Sequence, residues 1–178
     1  MLCQHPDVYQ KVQHEVENVL EGRSPRYDDL ARLPYCLQVF KETMRLYPPA
    51  ASIVREALHD IEFDGYLVPK GYTVMVSPYI LHRTVAYFPD PERFDPERFA
   101  PEREKQLPRY AYLPFGAGPR ICIGNHLALM EAHLLMATLA QRVHFLLVPG
   151  QAIAPDAVHN LALRPGGKVE VAVKKRKL

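Results

Sequence analysis

Apolar residues recur at helical spacing in two segments near the start of the chain. The first segment, residues 5–22, carries one stripe of apolar residues: Val8, Val12, Val16, Val19 and Leu20. The second segment, residues 36–49, ends at two successive prolines, which disfavour helical backbone in the residue before them. The pattern predicts two amphipathic helices, joined by a connection that contains a short helical turn.

Short apolar segments with the character of β-strands follow the second helix, at residues 52–58, 61–68 and 72–78. Asp64-Gly65 and Gly71 are residues typical of the turns between such strands. Residues 86–114 are rich in proline and are predicted to be irregular. The region thus combines small sheets with a long connection.

The last third of the chain predicts one long helix and further strands. Residues 125–143 are apolar on most of a helical circumference, so we expect this helix to be buried. Residues 143–148 and 160–173 predict strands, with a turn at Gly166-Gly167. The expected fold is mixed α and β, mainly helical with small β-sheets, and residues 1–178 are expected to form part of a single domain.

Composition and charge narrow the possible partners and location. Hydrophobic residues make up 48% of the 178 residues, and the formal net charge is +2, which is too small to indicate a nucleic-acid partner. The three cysteines, Cys3, Cys36 and Cys122, are far apart in the sequence, so no disulfide framework is expected. A reducing, cytoplasmic location is therefore the expectation, and no apolar stretch of the sequence reaches the length of a membrane span.

The stretch Phe115–Gly124, "FGAGPRICIG", places a cysteine among three glycines, which have no side chains to cover the backbone. Gly116 and Gly118 permit positive φ and leave room for a planar ligand, and Gly124 allows close contact as the next helix begins. The simple alternative is a buried free cysteine beside a tight turn. The stretch itself favours a ligand-binding loop, because each of its residues has a role in such a loop.

The remaining side chains of this stretch suit a metal-bound thiolate. Cys122 precedes the long helix, whose free N–H groups and dipole favour a thiolate. Arg120 is placed to pair with a carboxylate of the same ligand, and Phe115 to keep water from the sulfur. A zinc site that uses Cys122, His126 and His133 is a second interpretation.

The stretch resembles the haem-binding loop of the cytochrome P450 family, the haem-thiolate monooxygenases, whose signature is aromatic-Gly-x-Gly-x-Arg-x-Cys-x-Gly. The resemblance implies that the cofactor is haem b, iron protoporphyrin IX, with Cys122 as the proximal iron ligand. Arg120 would pair with one haem propionate. Arg55, in "SIVREAL", matches a strand position that contacts the other propionate in many members.

Two further stretches agree with this resemblance. "KETMR" places Glu42 and Arg45 three residues apart, on one face of a helix, and resembles the Glu-x-x-Arg motif of the family. In the family this pair meets an arginine of a downstream Pro-Glu-Arg-Phe segment. The sequence "PERFDPERF" contains that tetrad twice. We assign Arg98, in the second copy, to the structural triad, with Arg93 as the alternative, and give His82, in "LHRTV", a structural role at most.

The resemblance runs through essentially the whole chain but covers only the carboxy-terminal lobe of the family's fold, with a proximal cysteine loop before a long buried helix. It implies a monooxygenase that inserts oxygen from O₂ into a small, apolar substrate. A redox partner, ferredoxin or reductase, would dock on the proximal face near Cys122. The helix over the oxygen-binding face is missing, so a catalytically incomplete haem-binding fragment and peroxide or isomerase chemistry remain alternatives.

Overall fold

The computed structural model describes residues 1–156 and 162–176. Its helices are α1 Pro6–Leu20, α2 Pro34–Leu46, α3 Pro78–Leu81, α4 Pro101–Glu104 and α5 Asn125–Arg142. Four of the five begin at a proline, which suits the first helical position because the proline's missing N–H has no partner there. The two expected amphipathic helices and the helical turn between them, Tyr27–Arg32, are confirmed.

The strands form four separate antiparallel pairs within the described residues. Their bounds are β1 Ile53–Glu56, β2 Ile61–Phe63, β3 Tyr66–Val68, β4 Thr73–Val76, β5 Val143–Leu147, β6 Pro155–Asp156, β7 Arg164–Pro165 and β8 Val171–Lys175. β1 pairs with β4, β2 with β3, β5 with β8, and β6 with β7. The predicted mixture of helices and small sheets is confirmed.

The β2–β3 hairpin lies inside the connection between the paired strands β1 and β4. Its turn is Asp64-Gly65, and both residues have positive φ, 50° and 80°. This is the backbone that a two-residue hairpin loop of type I′ requires. The predicted turn is therefore confirmed.

The carboxy-terminal strands pair differently from the simple expectation of a turn between neighbouring strands. Gly166 and Gly167 separate β7 from β8, but β7 pairs with β6 and β8 pairs with β5. The amide of Gly166 donates to the carbonyl of Ala154 at 2.8 Å, which directs β7 toward β6. Residues 157–161, which include the start of the predicted segment 160–173, lie outside the described residues.

The core lies between α1, α2 and the carboxy-terminal half of α5. It buries the apolar stripe of α1, including Val12, Val16 and Leu20. The carboxylate of Glu15 accepts hydrogen bonds from the amides of Tyr35 and Cys36, at 2.7 and 2.9 Å. These bonds cap the start of α2, whose first amides have no partner within the helix, and so fix α2 against α1.

The prediction that α5 is buried is wrong for this chain. Only His133, Ala137, Ala140 and Gln141 of this helix are buried, whereas Leu127, Leu135 and Leu139 are 61%, 53% and 45% exposed. The helix is apolar on more of its circumference than α1 and α2 cover, since both contact it from the core side. An apolar face of α5 therefore remains on the surface.

The proline-rich segment 86–114 is irregular, as predicted, apart from short helices. It contains a 3₁₀ turn, Pro96–Phe99, and α4. Lys41 of α2 holds this segment at two points, through an ion pair with Glu104 at 2.6 Å and through its carbonyl, which accepts from the hydroxyl of Tyr112 at 2.9 Å. The segment is thus packed along α2 and leads directly into the cysteine stretch.

Candidate functional site

A buried ion pair lies on α2. Glu42 and Arg45, three residues apart, are both 0% exposed. Arg45 binds the carboxylate through two bonds, from Nε to Oε2 at 2.6 Å and from Nη2 to Oε1 at 2.9 Å. This bidentate geometry gives a strong charge-assisted contact. It also compensates for the cost of removing both charges from water.

Backbone groups of residues 82–95 complete the hydrogen bonding of the ion pair. Arg45 donates to the carbonyls of His82 and Arg93, at 2.8 and 3.2 Å. The amide of Asp95 donates to Glu42 at 2.8 Å. The pair therefore ties α2 to the chain that follows α3.

The structure brings Arg98, but not the guanidinium of Arg93, close to Glu42. The Nε atom of Arg98 lies 3.5 Å from Glu42 Oε1, and its Nη2 donates to the carbonyl of Asp90 at 2.8 Å. Arg93 is exposed and contributes its backbone carbonyl to Arg45. Among the described residues, no carboxylate pairs with the Arg93 side chain. The arrangement matches the predicted choice, while the role of the triad stays a prediction.

His82 joins this cluster, and no sequence pattern indicates its partners. The residue is 0% exposed; its Nδ1 lies 3.3 Å from the carbonyl of Arg45, and its Nε2 accepts from the amide of Leu113 at 2.8 Å. Burial, together with the positive charges of Arg45 and Arg83, lowers the pKa of His82 to about 4. The imidazole is therefore neutral at neutral pH. Leu113 is too distant in sequence for any local signal to reveal the contact.

The cysteine stretch forms a closed loop with two left-handed glycines. Gly116 and Gly118 have φ of 75° and 73°, a conformation that side-chain-bearing residues rarely adopt. The amide of Cys122 donates to the carbonyl of Phe115 at 3.0 Å, which closes the loop. An added Cβ on Gly118 would meet no atom within 4 Å, so this backbone faces open space.

Cys122 presents an exposed thiol just before α5. The residue is exposed and lies three residues before Asn125, where α5 begins, so it stands close to the positive dipole end of the helix. The flanking Ile121 and Ile123 are also exposed, at 48% and 102%. Phe115 is half-buried. An exposed thiol among apolar side chains fits an apolar ligand that covers this surface.

The two arginines expected to bind propionates are exposed. Arg120 has no hydrogen-bonding or ion-pair partner among the described residues. Arg55 donates to the carbonyl of its neighbour Val54, at 2.8 Å, and to no other group in the part of the chain that the structure describes. Ile53 lies two residues before Arg55 and so projects from the same side of β1. Its Cδ1 would lie 3.6 Å from a Cβ on Gly116, which places this side of β1 against the loop.

The described residues do not bring together the ligands of the zinc interpretation. His133 is buried, and its Nε2 lies 2.7 Å from the carbonyl of Leu33, so this side chain is already used in packing α5 against the start of α2. Residues 1–156 and 162–176 contain no group of three or more His, Cys, Asp or Glu side chains that is arranged to hold a metal ion. The geometry gives this interpretation no support.

The donor set fits haem better. It consists of one accessible thiol, glycine backbone that faces open space at Gly118, and two exposed arginines that have no carboxylate partner among the described residues. A planar cofactor with an apolar body, two carboxylates and a metal that a thiolate can bind matches each of these features.

In the described part of the chain, no helix has both the length and the hydropathy needed to cross a bilayer.

Comparisons with known proteins agree with this fit. The family model described as Cytochrome P450 matches residues 1–171. Cyclooctat-9-en-7-ol 5-monooxygenase from Streptomyces melanosporofaciens is 43% identical over 86% of this chain and 33% of its own length. Cyclooctatin synthase from the same organism is 42% identical over 93% of this chain and 36% of its own length. Cytochrome P450 3A29 from Sus scrofa is 44% identical over 81% of this chain and 29% of its own length. The chain thus spans about a third of the length of these relatives.

Proposed function

The chain belongs to the cytochrome P450 family, and from that membership we propose that it supplies the proximal haem-binding part of a monooxygenase. The reaction would insert one oxygen atom of O₂ into a small organic substrate. One observation carries the proposal: the exposed thiol of Cys122 follows a closed, glycine-rich loop at the start of α5.

Each residue of the loop has a task in this proposal. Cys122 would hold the haem iron as a thiolate, which the amides at the start of α5 stabilise. Haem bound in this way supplies oxygen activation, because the thiolate donates electron density that favours O–O cleavage. Gly116, Gly118 and Gly124 leave space for the macrocycle. Phe115 limits the access of water to the sulfur.

Charged residues would orient the cofactor and support the loop. Arg120 and Arg55 would pair with the two propionates, since both are exposed and neither has a carboxylate partner within residues 1–156 and 162–176. Glu42, Arg45 and Arg98 would support the loop indirectly, because they hold residues 82–98 against α2. These three are positioning residues and would not touch the cofactor.

The proposed partners follow from the same surface. Electrons would come from a ferredoxin or a reductase that docks near Cys122, where Arg120 and Arg109 are exposed. The substrate would be a small apolar molecule, because the end of the α2–β1 connection and the start of β1 offer apolar side chains, namely Ala50, Ala51, Ile53 and Val54. One relative is named for an alcohol, cyclooctat-9-en-7-ol, and an alcohol with a large apolar part is the first substrate class to test.

Haem titration of the purified chain tests the proposal. The ferrous–CO complex of the wild type is expected to show the red-shifted Soret band of thiolate ligation. Cys122→Ser is expected to abolish that band, and Cys3→Ser to leave it unchanged. A thiolate-type band of full intensity in Cys122→Ser would refute the assignment of the ligand.

A second candidate function is haem binding without turnover. The exposed apolar face of α5 favours it, because the described residues leave this side of the helix uncovered. Assay of the haem-loaded chain with a reductase and an apolar substrate separates the two candidates. Product formation in proportion to haem content supports the monooxygenase, and a thiolate-type spectrum without product supports the incomplete form.

A further inference from the structure

His82 lies between α2 and the segment that leads into the cysteine loop. Its ring packs 5.1 Å from the ring of Tyr112 and 6.3 Å from that of Phe88, measured between ring centroids. It is fully buried, yet its two ring nitrogens and its carbonyl all have partners. Buried polar groups require such partners, and those of His82 lie on α2, at Arg45, and on the segment before the cysteine loop, at Leu113.

The hydrogen bonds of His82 determine its tautomer. The amide of Leu113 can only donate, so Nε2 of His82 accepts and carries no proton. A neutral imidazole then carries its proton on Nδ1, which faces the carbonyl of Arg45. In return, the Arg45 side chain donates to the carbonyl of His82. The side chain and backbone of both residues thus form a reciprocal pair.

A continuous series of hydrogen bonds leads from His82 to the cysteine. The carbonyl of Leu113, whose amide binds His82, accepts from the amide of Gly116 at 3.2 Å. The carbonyl of Phe115 accepts in turn from the amide of Cys122 at 3.0 Å. The position of Leu113 therefore sets where the loop begins, and the loop closure sets where Cys122 lies.

We propose that His82 is a positioning residue for Cys122, and that its neutral imidazole fixes the backbone at Leu113 to the Glu42–Arg45 pair. The expected effect of His82 on haem binding rests on the proposed function. The expected effect on the structure, a loop held in one position, is independent of that function. The charged and titratable groups that face the ring are Arg45 on α2, the neighbouring Arg83, and Tyr112.

Two substitutions separate the two ring nitrogens. The amide of glutamine reaches about as far as Nε2, so His82→Gln keeps an acceptor for Leu113. Asparagine reaches only as far as Nδ1, so His82→Asn keeps the contact with Arg45 and loses the one with Leu113. His82→Phe removes both, and His59→Phe, at an exposed position, is the matched control.

Amide hydrogen exchange, resolved by residue in the chain without haem, tests the loop directly. The amides of Leu113, Gly116 and Cys122 are expected to exchange about tenfold faster in His82→Phe and His82→Asn, relative to amides of α1 in the same variant. His82→Gln and His59→Phe are expected to stay close to the wild type. Equal acceleration in the loop and in α1 would show a merely structural role, and unchanged loop exchange in His82→Phe would show none. Either result overturns the proposal.

The ferrous–CO spectrum then separates this proposal from the proposed function. If haem binds, the fraction of the thiolate-type band is expected to fall in His82→Phe and His82→Asn and to recover in His82→Gln. An unchanged fraction in His82→Phe would show that the contact does not position Cys122, and would overturn the proposal. If the wild type takes up no haem, the proposed function fails for this chain, while the exchange rate at Cys122 still decides whether His82 positions it.

Discussion

At the scale of single residues, the stability of the Glu42–Arg45 ion pair on α2 depends on the presence of all its hydrogen-bonding partners. Glu42 accepts from Arg45 twice and from the amide of Asp95, and Arg98 adds a further positive charge. A buried carboxylate with these partners is held firmly, whereas the loss of one partner leaves a charge poorly compensated. The arginine side chains in the two copies of the Pro-Glu-Arg-Phe tetrad are therefore expected to contribute unequally to stability.

Replacement of Arg98 and Arg93 distinguishes the two copies. Arg98→Ala is expected to lower the free energy of unfolding by about 2 kcal/mol, since it removes a charged donor near Glu42 and the bond to Asp90. Arg93→Ala keeps the backbone carbonyl that binds Arg45, so its expected effect is within about 0.5 kcal/mol. Urea unfolding of both variants measures this difference. A larger effect for Arg93→Ala would show that the assignment of Arg98 was wrong.

The low pKa of His82 makes stability depend on pH. Its pKa is about 4 in the folded chain, against 6.5 for an unperturbed histidine, so the unfolded state binds the proton more readily. The stabilising contribution is complete above pH 6.5 and is lost as the pH falls through the range from 6.5 to 4. Its full size is roughly 3 kcal/mol.

His82→Gln is expected to flatten this pH dependence, because glutamine does not titrate. The measurement is the free energy of unfolding in urea at several pH values between 7 and 4, for the wild type and the variant. His133, whose pKa burial also lowers, remains in both proteins, so its contribution cancels in the difference. Parallel pH profiles would contradict the prediction.

At the scale of elements, local signals predicted the structure well where the partners are close in sequence. The α1 stripe and the Asp64-Gly65 turn contain their own information, as 3.6-residue periodicity and as a residue pair suited to positive φ. The pairing of β1 with β4, and of β7 with β6, depends on contacts between distant segments. No residue pattern within those strands specifies the partner.

The candidate site divides in the same way. The glycines, Arg120 and Cys122 form one contiguous motif and were identified from the sequence alone. The sequence also placed Glu42 and Arg45 on one helical face, and the structure pairs them. The contact of His82 with Leu113 joins segments 31 residues apart, and neither residue type indicates it. The apolar pattern of α5 likewise does not show that the described residues leave one of its apolar faces uncovered.

Two glycines with similar positive φ allow a matched test of the loop. Gly65 in the hairpin and Gly118 in the loop have φ of 80° and 73°, and an added Cβ on either would meet no atom within 4 Å. Alanine is expected to cost roughly 1 kcal/mol of stability at each position, because the left-handed conformation is unfavourable for it. Only Gly118→Ala is expected to weaken haem binding, since its methyl group enters the open space of the proposed site. Equal haem affinities in a titration of the two variants would contradict this placement of the cofactor.

At the scale of the whole molecule, the exposed side of α5 leaves an apolar surface. Leu127, Leu135 and Leu139 lie on a helix whose other side packs into the core. Exposed apolar surface of this kind favours association. The relatives that share this region are about three times as long, so the described chain has fewer residues available to enclose a cofactor.

The isolated chain is therefore expected to self-associate, to bind haem weakly, and to show no NAD(P)H-driven oxygenase activity with added reductase. Light scattering after size-exclusion chromatography, haem titration and a turnover assay measure these three properties. Leu135→Gln combined with Leu139→Gln is expected to reduce self-association, because both side chains are about half exposed and their replacement leaves the core intact. A matched pair of substitutions at exposed residues of the β2–β3 hairpin, Phe63→Gln and Tyr66→Gln, controls for a general gain in solubility. A monomeric wild type with stoichiometric haem and substrate-dependent product would show that the single proximal wall is sufficient for the chemistry.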